Sequence, residues 1–209
     1  MQKTLLAVLA AAVVVLGLSG ALAISAEQEP ANKVSASGST TEVFGGPVSV
    51  SATETVLAER VKTSKPTDLI LGVTAECSIT TDVMTVGSDT QSAEGTIRMW
   101  IEVDGRAVPV AAGDYGKVVF CNRLYERTTQ LGSDDEEDSV RTFMKTRNAN
   151  GFNWMALNVG SGTHEIVVKA SLDTTNTQRA SATGVVGSRT LVVEPTHSAN
   201  NEAVSDLAP

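Results

Sequence analysis

Histidine is nearly missing from this chain of 209 residues, where only His164 and His197 occur. A Ser-His-Asp hydrolase needs an imidazole beside an activated serine, and no Gly-x-Ser-x-Gly elbow is present to hold one. His164-Glu165 begins as a His-Glu-x-x-His zinc motif does, but Val168 stands where the second histidine should be. Cys-x-x-Cys pairs, phosphate-binding glycine loops and Gly-x-Gly-x-x-Gly are missing as well. The usual motifs of dithiol, nucleotide and dinucleotide chemistry are therefore not on offer. No Asn-x-Ser/Thr sequon occurs, so N-glycosylation is not expected. An enzyme built on this chain would have to work through scattered carboxylates.

What is there begins with an apolar run, Leu5 to Leu18, behind a single cation at Lys3. It leads into Gly20-Ala21-Leu22-Ala23-Ile24-Ser25-Ala26, which completes the three parts of a secretory signal peptide. Cleavage is expected after Ala23, with Ala26 as the second site; the alternative is a retained anchor, since the run is close to one bilayer in length. The expected division is a signal peptide over 1–26, a mobile Ser-rich linker over 27–42, a folded domain over 43–196 and a disordered tail over 197–209. The polar tail carries no GPI signal. Secretion to the extracellular space, or to a periplasm, follows. The only cysteines, Cys77 and Cys121, are expected to form one disulfide there, closing a loop 44 residues long.

From Val43 onward, short Val-, Ile- and Thr-rich runs alternate with Gly, Asp, Asn and Ser clusters, and no helical period persists. Asp68 to Thr80 alternates without a fault: Leu69, Leu71, Val73, Ala75, Cys77 and Ile79 share one face, Gly72, Thr74, Glu76 and Ser78 the other. Thr96 to Val103 follows, then Asp104-Gly105, which suits a type I′ hairpin turn because both residues tolerate positive φ. A return strand at Arg106 to Val110 and a strand from Lys117 to Thr128 come next. Val140 to Arg147 and Phe152 to Val159 read as two strands around a turn at Asn148 to Gly151. Thr163 to Leu172 is another, and Arg189 to Glu194 should stop at Pro195, which cannot donate to a ladder. With one or two opening strands in Pro47 to Val61, the total is eight to ten. Without helices to cover an apolar sheet face, a second sheet must do so. The fold class is all-β, a two-sheet antiparallel β-sandwich, jelly-roll-like or Ig-like, with its topology open.

The order Cys77, Trp100, Cys121 invites comparison with immunoglobulin domains, but the details diverge. Trp100 falls on the face opposite Ile97, Met99 and Ile101, and residue 119 is Val rather than the Tyr of a tyrosine corner. No family is assigned on this basis.

Two features remain as candidate sites. Asp134, Asp135, Glu136, Glu137 and Asp138 supply five of the charges behind a net −8. They form a solvated acidic loop or a weak Ca²⁺ site without EF-hand spacing. The same acidity speaks against nucleic acid as a partner, which needs clustered Lys and Arg. Aromatic residues make up only 4% of the chain, and all but Phe44 lie between Trp100 and Trp154. Trp100 shares its face with Arg98 and Glu102, so Arg98, Trp100, Glu102 and Trp154 form the candidate binding surface, with burial in a core or interface as the alternative. The expected function is that of a secreted, non-enzymatic sandwich with a binding or surface role. A glycan, another envelope component or a second copy is the candidate partner, and a carboxylate-dependent hydrolase or lyase of an extracellular polymer is the alternative. Intact mass of the exported protein should give a chain starting at Ile24 or Glu27; one starting at Met1 would mean a retained anchor.

Overall fold

A computed structural model describes residues 33–39, 42–46, 51–110, 115–130 and 139–196. The signal segment, the acidic loop, His197 and the C-terminal tail lie outside the described residues. Among the described residues there are ten strands: β1 (Val34–Gly38), β2 (Glu42–Gly46), β3 (Ser51–Thr63), β4 (Thr67–Val86), β5 (Asp89–Val103), β6 (Arg106–Ala107), β7 (Val118–Thr129), β8 (Ser139–Val159), β9 (Gly162–Asn176) and β10 (Ala180–Thr196). All pairings are antiparallel. Sheet A runs β1-β10-β4-β8, with β2 following β1 along the same edge of β10. Sheet B runs β3-β9-β5, with β7 and β6 sharing the far edge of β5.

Read along the chain, the long strands change sheet at almost every step: β2 in A, β3 in B, β4 in A, β5 and β7 in B, β8 in A, β9 in B, β10 in A. This is the path of a jelly roll, and it settles the topology that periodicity alone leaves open. The antiparallel two-sheet sandwich expected from the sequence is what forms.

Alternation on β4 is the reason the sheets meet. Leu69, Leu71, Val73, Ala75, Cys77 and Ile79 are each 2% exposed or less. They face Ile97, Met99, Ile101 and Val103 of β5 and Ile166, Val168, Ala170 and Leu172 of β9, all within one core. Cys77 of sheet A bonds to Cys121 of sheet B, so the disulfide ties the two layers together. Asp104 and Gly105 take φ of 52° and 79°, as the hairpin reading requires. Gly116 is fixed more tightly: its φ is +65°, and a Cβ there would stand 1.9 Å from the Val108 carbonyl oxygen.

β4 runs past the expected Thr80 to Val86, β5 starts at Asp89 rather than Thr96, β9 runs past Leu172 to Asn176, and four further differences change an element. Residues 34–38, expected in the linker, form β1 and pair with Arg189 to Val193 of β10, because half-buried Val34, Ala36 and Gly38 alternate with exposed Ser35 and Ser37 and can line a sheet edge. Asn148 to Gly151 do not turn; they pair with Thr74 to Cys77, and neither Asn150 nor Gly151 has positive φ. From Leu69 to Val86, β4 offers a continuous ladder, so β8 passes residues 148–151 without turning and extends over 21 residues. The return strand after Gly105 is only Arg106–Ala107. β10 starts at Ala180 and continues through Pro195, which pairs with Leu69 beyond the last residue joined to β1, where a missing N–H is tolerated.

Replacing both cysteines by alanine should lower stability by up to ~4 kcal/mol, the chain-entropy value for this loop. Urea unfolding of the double variant would check it, the expected result being a lower midpoint with a slope no smaller than the parent's, because the freed unfolded chain is more expanded.

Candidate functional site

Arg98, Trp100 and Glu102 project from β5 onto the outer face of sheet B, as alternation requires. That face is closed over the ring. The indole N–H donates to Glu102 Oε1 at 3.1 Å, and the Lys117 ammonium sits 4.6 Å from the ring centroid. Lys169, paired with Trp100 across β9, holds Glu102 Oε2 at 2.8 Å. Arg98 is ion-paired with Asp173. Trp100 is left 6% exposed, too little for a stacking platform. Trp154 lies elsewhere, 1% exposed in the core. Its ring meets Phe152 edge-on at 4.8 Å and Phe120 in parallel at 6.3 Å, and its N–H donates to Gly116 O at 2.7 Å. The two tryptophans therefore form no common surface. Trp154 shares its inward face with Phe152 and Ala156, which places it against sheet B.

His164 is committed locally. Nδ1 lies 2.7 Å from Asp104 Oδ2 and Nε2 2.9 Å from the Gly160 carbonyl. The other oxygen of Asp104 accepts the Glu165 N–H at 2.9 Å, and the Asp104 N–H donates to Glu165 O. One hairpin turn thus grips the start of β9, and no ring nitrogen is left to serve as a base. Among the described residues no group of three His, Cys, Asp or Glu side chains could hold a metal ion. The acidic run Asp134 to Asp138 lies outside the described residues.

Among the described residues, an open concave surface lies on the outer face of sheet A. Three adjoining hollows of about 400, 450 and 230 Å³ follow β4 from Ile70 to Ser78, a length of about 26 Å at the usual strand rise. Ser37, Thr190, Thr74 and Gly151 form one row straight across β1, β10, β4 and β8. Small residues on all four strands make the floor, and longer ones make the rims. A Cβ at Gly72 would stand 2.8 Å from Asn153 Oδ1, so the glycine is what lets the amide lie across the strand. Charged rims are neutralised in place: Glu76 pairs with Arg147 at 2.6 Å and Glu194 with Lys33 at 3.0 Å. Alternation already assigns Gly72, Thr74, Glu76 and Ser78 to the wetter face of β4. The trough itself depends on which small residues of four separate strands fall side by side, which no local pattern encodes.

No protein-family model and no curated protein matches the chain. Among solved structures, that of the Gx strain of infectious bursal disease virus aligns over 81% of this chain and 32% of its own, at 12% identity and a TM-score of 0.36. The VP2 subviral particle of that virus aligns over 85% of this chain and 45% of its own, at 11% identity and a TM-score of 0.18. The chain spans less than half the length of either, and at such scores the likeness says nothing about function.

Asp104 gives the fold a pH dependence. Burial pushes its carboxyl up, but the His164 bond, the Glu165 N–H and the His164 charge together outweigh that and hold it below its ordinary value of 3.8. A carboxyl lowered on folding adds stability above its unfolded value, and this is lost as pH falls through the folded one. Asp104→Asn should therefore be less stable than the parent near neutral pH, with the gap closing in acid. Urea midpoints from about pH 6 to about pH 2 would show it, and a gap constant with pH would contradict the assignment.

Proposed function

We propose that this is a secreted, non-enzymatic jelly-roll module that binds an extended polar polymer, a glycan or similar envelope component, along the trough of sheet A. The trough carries the reading. It is long and shallow, and its lining mixes Ser, Thr and Asn groups with apolar side chains, Ile70, Val185 and Val192 among them. Such a surface suits a chain rich in hydroxyls, held by many modest hydrogen bonds. The carboxylates that face it support binding over catalysis. Glu76 and Glu194 are each ion-paired, and they lie roughly 20 Å apart along the strands, whereas a glycosidase pair works at ~5–10 Å.

Self-association is a second reading, favoured by β8. Among the described residues this edge strand pairs with β4 alone, and it leaves Val140, Phe143 and Met144 at 37%, 63% and 38% exposure. A long edge with exposed apolar side chains is a template for another strand.

Ala149→Trp, on the exposed trough side of β8, should fill the hollow and abolish retardation in gels containing the bound glycan without lowering the melting temperature. Retention by no neutral or charged glycan would sink the binding reading. For self-association, light scattering should find oligomers that Phe143→Ser shifts toward monomer.

A further inference from the structure

Among the described residues no backbone ladder joins β7 to β8: β7 pairs with β5 and β8 with β4, and the Asn150 amide of β8 donates to the Phe120 carbonyl of β7. Into this gap β7 sends Arg123 and Arg127. Arg123 donates Nε to Thr81 Oγ1 at 3.2 Å and a terminal N–H to Thr146 Oγ1. Arg127 donates to Thr142 Oγ1 at 2.7 Å, while its Nε–H is buried without an acceptor. Both guanidiniums thus meet neutral hydroxyls only. Among the described residues neither has a carboxylate at ion-pair distance, although Arg98, Arg141, Arg147 and Arg179 all do. The chain has 24 acidic residues against 16 basic ones, so counter-charge is not scarce. A half-buried guanidinium is stable beside an oxyanion that uses its fork of donors, and none of the described carboxylates supplies one here.

We propose that this gap is a second binding site, specific for an acidic polysaccharide. Arg123 and Arg127 are four residues apart on an extended strand, about 13 Å between Cα atoms. Thr142 and Thr146 repeat that spacing on the facing strand. A linear polymer with oxyanions at intervals matches this ladder better than a single small ion. The threonines and Asn148, on the same inward face of β8, supply partners for sugar hydroxyls between the charges. Two spaced cations do not match the dense charge of a nucleic acid, and Tyr125, between the arginines, packs on Val83, Ala93 and Ala180 rather than standing free for base stacking.

The test uses the full exported chain and calorimetric titration with polygalacturonate, a sulfated glycan and dextran. Wild type should bind at least one of the two acidic polymers and not dextran, more weakly as salt rises. Arg123→Gln/Arg127→Gln should lose about tenfold or more in affinity. Lys62→Gln/Lys65→Gln, which removes the same charge elsewhere, should change it less than twofold. Preference between carboxylate and sulfate identifies the source of the anion. Arg127→Gln alone, which leaves the Arg123 bridge between sheets intact, covers the case in which the double variant fails to fold. Ala149→Trp separates this site from the trough: it should leave acidic-polymer binding unchanged. No binding of either acidic polymer, an equal loss in the lysine variant, or loss in Ala149→Trp would each overturn the proposal.

Discussion

Everything in this fold depends on one constraint, the strict alternation of β4. A strand that is apolar on every second position for its central dozen residues has to find cover on that face alone, and the chain contains no helix among its described residues to provide it. The second sheet is the answer. Cys77 then stands within the same inward row, so the disulfide forms where the packing has already brought the layers together rather than imposing their approach. The opposite row of β4 is released from packing, and that freedom is what permits the small residues of the trough.

Alternation also explains how much of the molecule could be read in advance. Strands whose partners lie on both sides, β4, β5 and β9, are legible over the stretches where burial fixes an apolar alternation, but not over the more polar residues 81–86, 89–95 and 173–176. Edge strands were less so. The first thirteen residues of β8 are mostly exposed on both faces, and an Asn-Gly pair there looks the same in a turn as in a solvated strand. Ladder continuity with β4 decided between them, and that is information carried by another part of the chain. β1 escaped notice for the same reason, its Ser- and Gly-rich composition being as suitable for a linker as for an edge.

Candidate sites were harder. The outward direction of Trp100 was correct by alternation, yet a Lys from before β7 and another from β9 cover it. Direction is local, whereas exposure depends on neighbours brought in by topology. Clustering of the aromatics in sequence reflected a core contribution from β7 and β8, through Phe120, Phe152 and Trp154, more than a surface. What the surface does offer consists of absences and unmatched charges: side chains too small to fill a face, and guanidiniums facing hydroxyls. Neither leaves a motif.

The sheet-switching path has a consequence for how the molecule comes into being. β10, among the last strands to be made, lies between β1 and β4, so the first strand has no neighbour until the final one exists. Nearly every lateral partner is remote in sequence, which makes folding slow and all-or-none across the chain. A chain with this strand order leaves β1, β2 and one side of β4 without their lateral partner until β10 has been made.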